Sequence, residues 1–67
     1  MSIGSRIKQA RELRGMSRRE LATLVGVTTS AIGNYETDIS IPKAPVLCAM
    51  FSALRVDANF LFQDYLS

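Results

Sequence analysis

Ser17-Arg18-Arg19-Glu20-Leu21-Ala22-Thr23-Leu24-Val25-Gly26-Val27-Thr28-Thr29-Ser30-Ala31-Ile32-Gly33-Asn34-Tyr35-Glu36 holds two helix starts with a stop between them. Ser17 and Glu20 stand three residues apart. At that spacing each side chain can satisfy the other's free backbone donor at a helix start. The helix they open buries Leu21, Ala22 and Val25 and stops at Gly26, which takes the left-handed conformation cheaply. Val27-Thr28 follows at once, and Thr28 is a good N-cap for a further helix through Glu36. Only a tight turn around Gly26 separates the two.

Reading outward, Ser2 can cap an earlier helix with Ile3, Ile7, Ala10 and Arg14 on one face, Leu13 beside them, and Gly15 as its stop. On the other side, Thr37 to Lys43 reads as a loop closed by Pro42. A fourth helix with Pro45 in its first turn runs to Leu54 and buries Leu47, Met50, Phe51 and Leu54. Asp57 can cap a fifth helix through Tyr65. No stretch alternates as a half-buried strand does, and no internal repeat is visible. The expectation is a compact all-α domain of five helices spanning 1–67. A chain of 67 residues is short enough for one domain only, and buries about 60% of its unfolded surface.

Composition excludes several classes of function. The single Cys48 cannot make an internal disulfide, and with no histidine there is no zinc-finger ligand set and no imidazole base. No metal-ligand cluster, Gly-rich phosphate loop or nucleophile–base pair is present, so neither an enzyme nor a cofactor is expected. Cys48, between apolar neighbours, reads as core. No apolar run approaches the roughly 20 residues that span a bilayer, and charges interrupt the N-terminal segment too often for a signal peptide. A cytoplasmic address follows as the expectation. The net charge is only +2, but Arg6, Lys8, Arg11, Arg14, Arg18 and Arg19 crowd the first third of the chain against Glu12 and Glu20. Such a run is either a surface for a polyanion or a solvated helix face.

Helix, glycine-containing turn and helix make the helix-turn-helix arrangement, here at about 17–36. The pattern Leu21-Ala22-x-x-Val25-Gly26-Val27-x-x-x-x-Ile32-x-x-Tyr35-Glu36, with Leu54-Arg55-Val56-Asp57 before the last helix, resembles the Cro/C1-type, lambda-repressor-like DNA-binding domains from Ile3 to about Leu61. The resemblance implies that the third helix lies in a major groove and reads bases from its N-terminal end. Short hydrogen-bonding residues, which a base-reading helix end needs, stand there: Thr28, Thr29 and Ser30, with Asn34 one turn on. The alternative, that these are plain solvent-facing residues, is disfavoured by the flanking pattern. Arg18, where the family often has glutamine, would take a phosphate, with Arg19 as a lesser helper. Thr37 and Lys43 are further candidates for the DNA backbone. The family's matching pair makes Arg11 and Glu36 a structural ion pair. The loop departs from the family: Thr37-Asp38-Ile39-Ser40-Ile41 offers little to phosphate, and Asp38 would repel it.

The implied function is sequence-specific binding of duplex DNA by a transcriptional regulator, a repressor of phage or mobile-element type, with no small-molecule ligand. The apolar C-terminal run, with Phe60, Phe62 and Tyr65, suggests a homodimer through the last helix, as is common in the family. Two alternatives stand beside this. The chain can be a protein-interaction module of the same fold, such as an antitoxin, or the N-terminal piece of a larger regulator.

Overall fold

The computed structural model describes residues 2–66 and contains six helical segments, with no strand among the described residues. They are α1 (Ile3–Leu13), α2 (Arg18–Val25), α3 (Thr29–Glu36), α4 (Ala44–Leu54), α5 (Ala58–Leu61) and α6 (Gln63–Leu66). The starts of α1, α2, α3 and α5 are realised as side-chain caps, whereas α4 begins after Lys43 without one. Ser2 with Ser5 closes a capping box on α1, and Ser17 with Glu20 closes one on α2. The Thr28 hydroxyl accepts from the Ala31 N–H at 3.1 Å. The hydrogen bond from the Ser17 backbone, with a second from its hydroxyl, holds the exposed Glu20 carboxyl below its ordinary pKa. Gly26 sits at φ 77°, and its N–H and that of Val27 both donate to the Ala22 carbonyl, which ends α2.

Ile7, Leu21, Ile32, Met50, Leu54 and Leu61 are fully buried, so each of α1 to α5 contributes at least one to a common core. Each such burial is worth about 1.5–3 kcal/mol. Helices α2 and α3 have 8 residues each. Isolated helices below about 12–15 residues are marginal in water, so tertiary packing keeps these two formed.

The last expected helix is broken. The segment capped by Asp57 runs only from Ala58 to Leu61, and the chain resumes helical geometry at Gln63. Phe62, at φ −104° and ψ 14°, is half-buried on the core at the break. Cys48 is exposed, contrary to the core assignment. The buried face of α4 carries Met50 and Leu54, with Leu47 and Phe51 half-buried beside them. Cys48 falls instead on the stripe of Ala44 and Ser52, all exposed. Its apolar neighbours in sequence lie around the helix, not on its own side. Leu13 is likewise 72% exposed.

Two helix ends use non-glycine left-handed residues, Asp38 at φ 63° and Arg55 at φ 56°. Each is supported by a distant contact. The Asp38 carboxylate accepts from the Gly4 N–H at 3.2 Å, near the start of α1. Next to Arg55, the Arg14 guanidinium donates to the Leu54 and Arg55 carbonyls at 2.8 and 3.1 Å, satisfying acceptors at the end of α4.

Candidate nucleic-acid interface

At the junction of α1, α2 and α3 lies one carboxylate between two guanidiniums. Glu36, with a fully buried side chain, accepts from Arg11 Nε at 2.7 Å and Nη2 at 3.2 Å. The remaining Arg11 donor, Nη1, reaches the Met16 carbonyl at 2.8 Å. The hydrogen bonds to Glu36 raise the Arg11 pKa above its ordinary value against the opposing effect of burial, with the negative charges of Glu36 and Glu12 adding to the rise. The structural ion pair is thus present. It also has a third member that the sequence did not suggest: Arg18 Nε donates to Glu36 Oε1 at 3.1 Å. The Arg18 side chain is 43% exposed, and no hydrogen bond engages its two terminal nitrogens among the described residues. Arg18 therefore ties α2 to α3 while keeping donors free for an anion.

The remaining candidates divide by what their polar atoms already do. Thr29, Ser30 and Asn34 are exposed, and no side-chain hydrogen bond engages them among the described residues. Ser30 and Asn34 lie one turn apart on the same side of α3. The Thr28 hydroxyl oxygen accepts the cap bond, which leaves its proton available. Thr37 differs. Its hydroxyl donates to the Gly33 carbonyl at 2.8 Å, a bond it would have to give up to donate to phosphate. Lys43 is exposed and makes no side-chain bond as N-cap of α4. Asp38, read from sequence as a repelling charge in the loop, is turned back onto the start of α1.

The basic N-terminal third is largely consumed by the fold. Arg6 pairs with Asp64 at 3.1 Å and lies 5.5 Å over the Phe60 ring, while Arg11 and Arg14 serve Glu36 and the end of α4. Lys8, Arg14, Arg18 and Arg19 are the exposed members of that run, and of these Arg14 is tied to the end of α4. Sequence position alone could not separate these groups, because the partners Glu36, Leu54 and Asp64 are distant in the chain. Among the described residues no group of three or more acidic or cysteine side chains could hold a metal ion. No helix there is long and apolar enough to cross a membrane.

Of the residues expected at a dimer contact, Phe60 and Phe62 are half-buried against the core, and Tyr65 is 66% exposed. The Phe62 and Tyr65 rings stand 6.5 Å apart, tilted by 59°. Arg6 covers the Phe60 ring, so Tyr65 presents the most surface of the three.

Comparison with known proteins agrees with this architecture. The helix-turn-helix family profile matches residues 7–61. An uncharacterised HTH-type transcriptional regulator of Sinorhizobium fredii is 34% identical over 65 residues, covering 97% of this chain and 46% of that protein. The HTH-type transcriptional regulator ImmR of Bacillus subtilis is 30% identical over 61 residues, covering 91% of this chain and 48% of that protein. The chain thus spans a little under half the length of these relatives. Among solved structures, the P22 c2 repressor in complex with a synthetic operator superposes with a TM-score of 0.87 at 28% identity, over 91% of this chain and 92% of that one. The profile covers most of the chain, and the chain belongs to the helix-turn-helix family, of the Cro/C1 type.

Proposed function

We propose that this chain is the DNA-reading domain of a transcriptional regulator, a repressor of phage or mobile-element type, and that α3 enters the major groove of an operator. The observation that carries the reading is the exposed polar face of α3. The side chains of Thr29, Ser30 and Asn34 have no hydrogen-bond partner among the described residues, on a scaffold that superposes on a repressor held by its operator. Thr28 and Arg18 flank that face with free donors for the phosphate backbone, and Lys43 extends it beyond the loop. In this reading the protein works in the cytoplasm of a bacterium. Two copies meet through the last helical segments around Tyr65, which sets two recognition helices about 34–36 Å apart.

The deciding experiment is a selection of bound duplexes from a random oligonucleotide pool at near-physiological salt. Recovery of an inverted repeat with half-sites about one helical turn apart is expected. No enrichment from a folded, helical protein would refute operator reading. It would favour instead a protein-interaction role for the exposed Leu24, Ile39 and Ile41.

Asn34→Ala is expected to relax base preference at one position of the half-site and leave the helical circular dichroism spectrum unchanged. The same selected site at the same stringency would remove Asn34 from the reading set. Arg18→Ala is expected to weaken binding to all duplexes alike and to lower the slope of log affinity against log salt by about one. The fold should persist, because Arg11 keeps its own two bonds to Glu36.

A further inference from the structure

The Arg18 guanidinium lies across a position on α3 where there is no side chain. A Cβ on Gly33 would stand 3.5 Å from Arg18 Nη1 and 4.0 Å from Cζ. That is ordinary van der Waals contact for a methyl group, and a γ carbon directed toward the guanidinium would overlap it. On its other side the guanidinium is held through Nε by the buried Glu36 carboxylate. Glu36 supplies one negative charge to two guanidiniums, and Arg11 already takes both of its oxygens. The cluster therefore carries one uncompensated positive charge, and it resides on the exposed member.

We propose that Gly33 is a positioning residue for Arg18: its missing side chain forms the seat in which Glu36 holds the guanidinium, so that the two terminal nitrogens take one phosphate of the DNA backbone. The inference rests on the DNA-binding reading above and assigns it a residue that neither reads a base nor touches phosphate. A guanidinium fixed at one nitrogen offers its remaining edge as a planar two-donor fork, the geometry that suits a phosphate. A side chain at position 33 larger than a methyl would drive Arg18 out of that seat. The charge would remain on the protein but would no longer be aimed.

The test compares the wild type, Gly33→Ala, Gly33→Val, Arg18→Ala and the double variant Arg18→Ala/Gly33→Val on a random-sequence duplex across a salt series. Circular dichroism checks each fold. Gly33→Ala, whose Cβ only reaches van der Waals contact with Arg18 Nη1, should lose clearly less affinity and salt slope than Gly33→Val. Gly33→Val should bind roughly tenfold more weakly at low salt, with a slope lower by about one, matching Arg18→Ala. The double variant should lose nothing beyond Arg18→Ala, as expected for residues acting through one contact. Wild-type affinity and slope in Gly33→Val would overturn the proposal. So would equal losses in Gly33→Ala and Gly33→Val, or a valine penalty that persists without Arg18, since position 33 would then meet DNA directly. A folded wild type that binds no duplex at any salt would refute the DNA-binding reading itself, whereas each preceding failure leaves that reading standing.

Discussion

Glu36→Ala is expected to remove a large share of the protein's stability and to lower the thermal midpoint by more than about 12 °C. The Glu36 side chain is fully buried and the Arg11 side chain only 11% exposed. Removing the carboxylate strands the Arg11 guanidinium inside the protein with only the Met16 carbonyl left to it. Breaking a buried pair by deleting one partner costs about 3–5 kcal/mol. A domain of this size has a total stability of roughly 3–10 kcal/mol. Each kcal/mol moves the midpoint of so small a domain by about 4–8 °C.

The damage should centre on α3, whose one fully buried apolar side chain is Ile32. Thermal denaturation followed by circular dichroism gives the measurement. A companion variant separates charge from packing. Arg11→Met combined with Glu36→Leu removes both charges together, and it should recover much of the lost stability, because well-packed apolar replacements of buried pairs are often neutral or better. A Glu36→Ala midpoint within a degree or two of wild type would mean that Arg11 swings out to water at little cost. The three-membered cluster would then not be what joins α1, α2 and α3.

The sequence made the helix starts legible because each depends on residues within one turn. The Ser17–Glu20 box, the Thr28 cap and the Gly26 stop all closed as their spacing required. The core residues Ile7, Leu21, Ile32, Met50 and Leu54 were equally local, a matter of helical spacing. Contacts between residues far apart in the chain were harder to see. Arg6, Arg11 and Arg14 looked like one basic run with Arg18, yet each is tied to a different distant partner. Asp38 looked like an obstacle to DNA and serves α1 instead. Arg55 ends α4 in a left-handed conformation with no glycine to announce it. At the candidate interface, the exposed face of Thr29, Ser30 and Asn34 was readable from residue type. The sharing of Glu36 by Arg18 was not, since a resemblance to a family that often has glutamine at that position cannot place a guanidinium.

Gly4→Ala should be nearly as damaging as loss of the buried carboxylate, although it adds a single methyl group to a helix. By propensity alone the change favours folding, since alanine is better than glycine in a helix interior by about 1 kcal/mol. Space decides against it. A Cβ on Gly4 would run into the Tyr35 carbonyl oxygen and stand 2.8 Å from that of Glu36 and 2.7 Å from Asp38 Oδ1. Two of these three atoms are backbone at the end of α3 and cannot rotate aside as a side chain can. Helices α1 and α3 must therefore separate, which pulls Asp38 from the Gly4 N–H and strains the neighbouring Arg11–Glu36 pair. Overpacking of this kind costs about 1–3 kcal/mol and occasionally more. With the pair disturbed as well, a net loss of about 2–3 kcal/mol and a midpoint lower by roughly 10–20 °C are expected. Gly26→Ala is the contrasting case. No atom lies within 4 Å of its Cβ position, but φ is 77°, so the cost there is purely conformational, about 1–2 kcal/mol. Thermal denaturation of the two variants beside wild type sets the order. If Gly4→Ala melts at or above Gly26→Ala, α1 and α3 can part at little cost, and the close backbone approach is not what holds α3 in place.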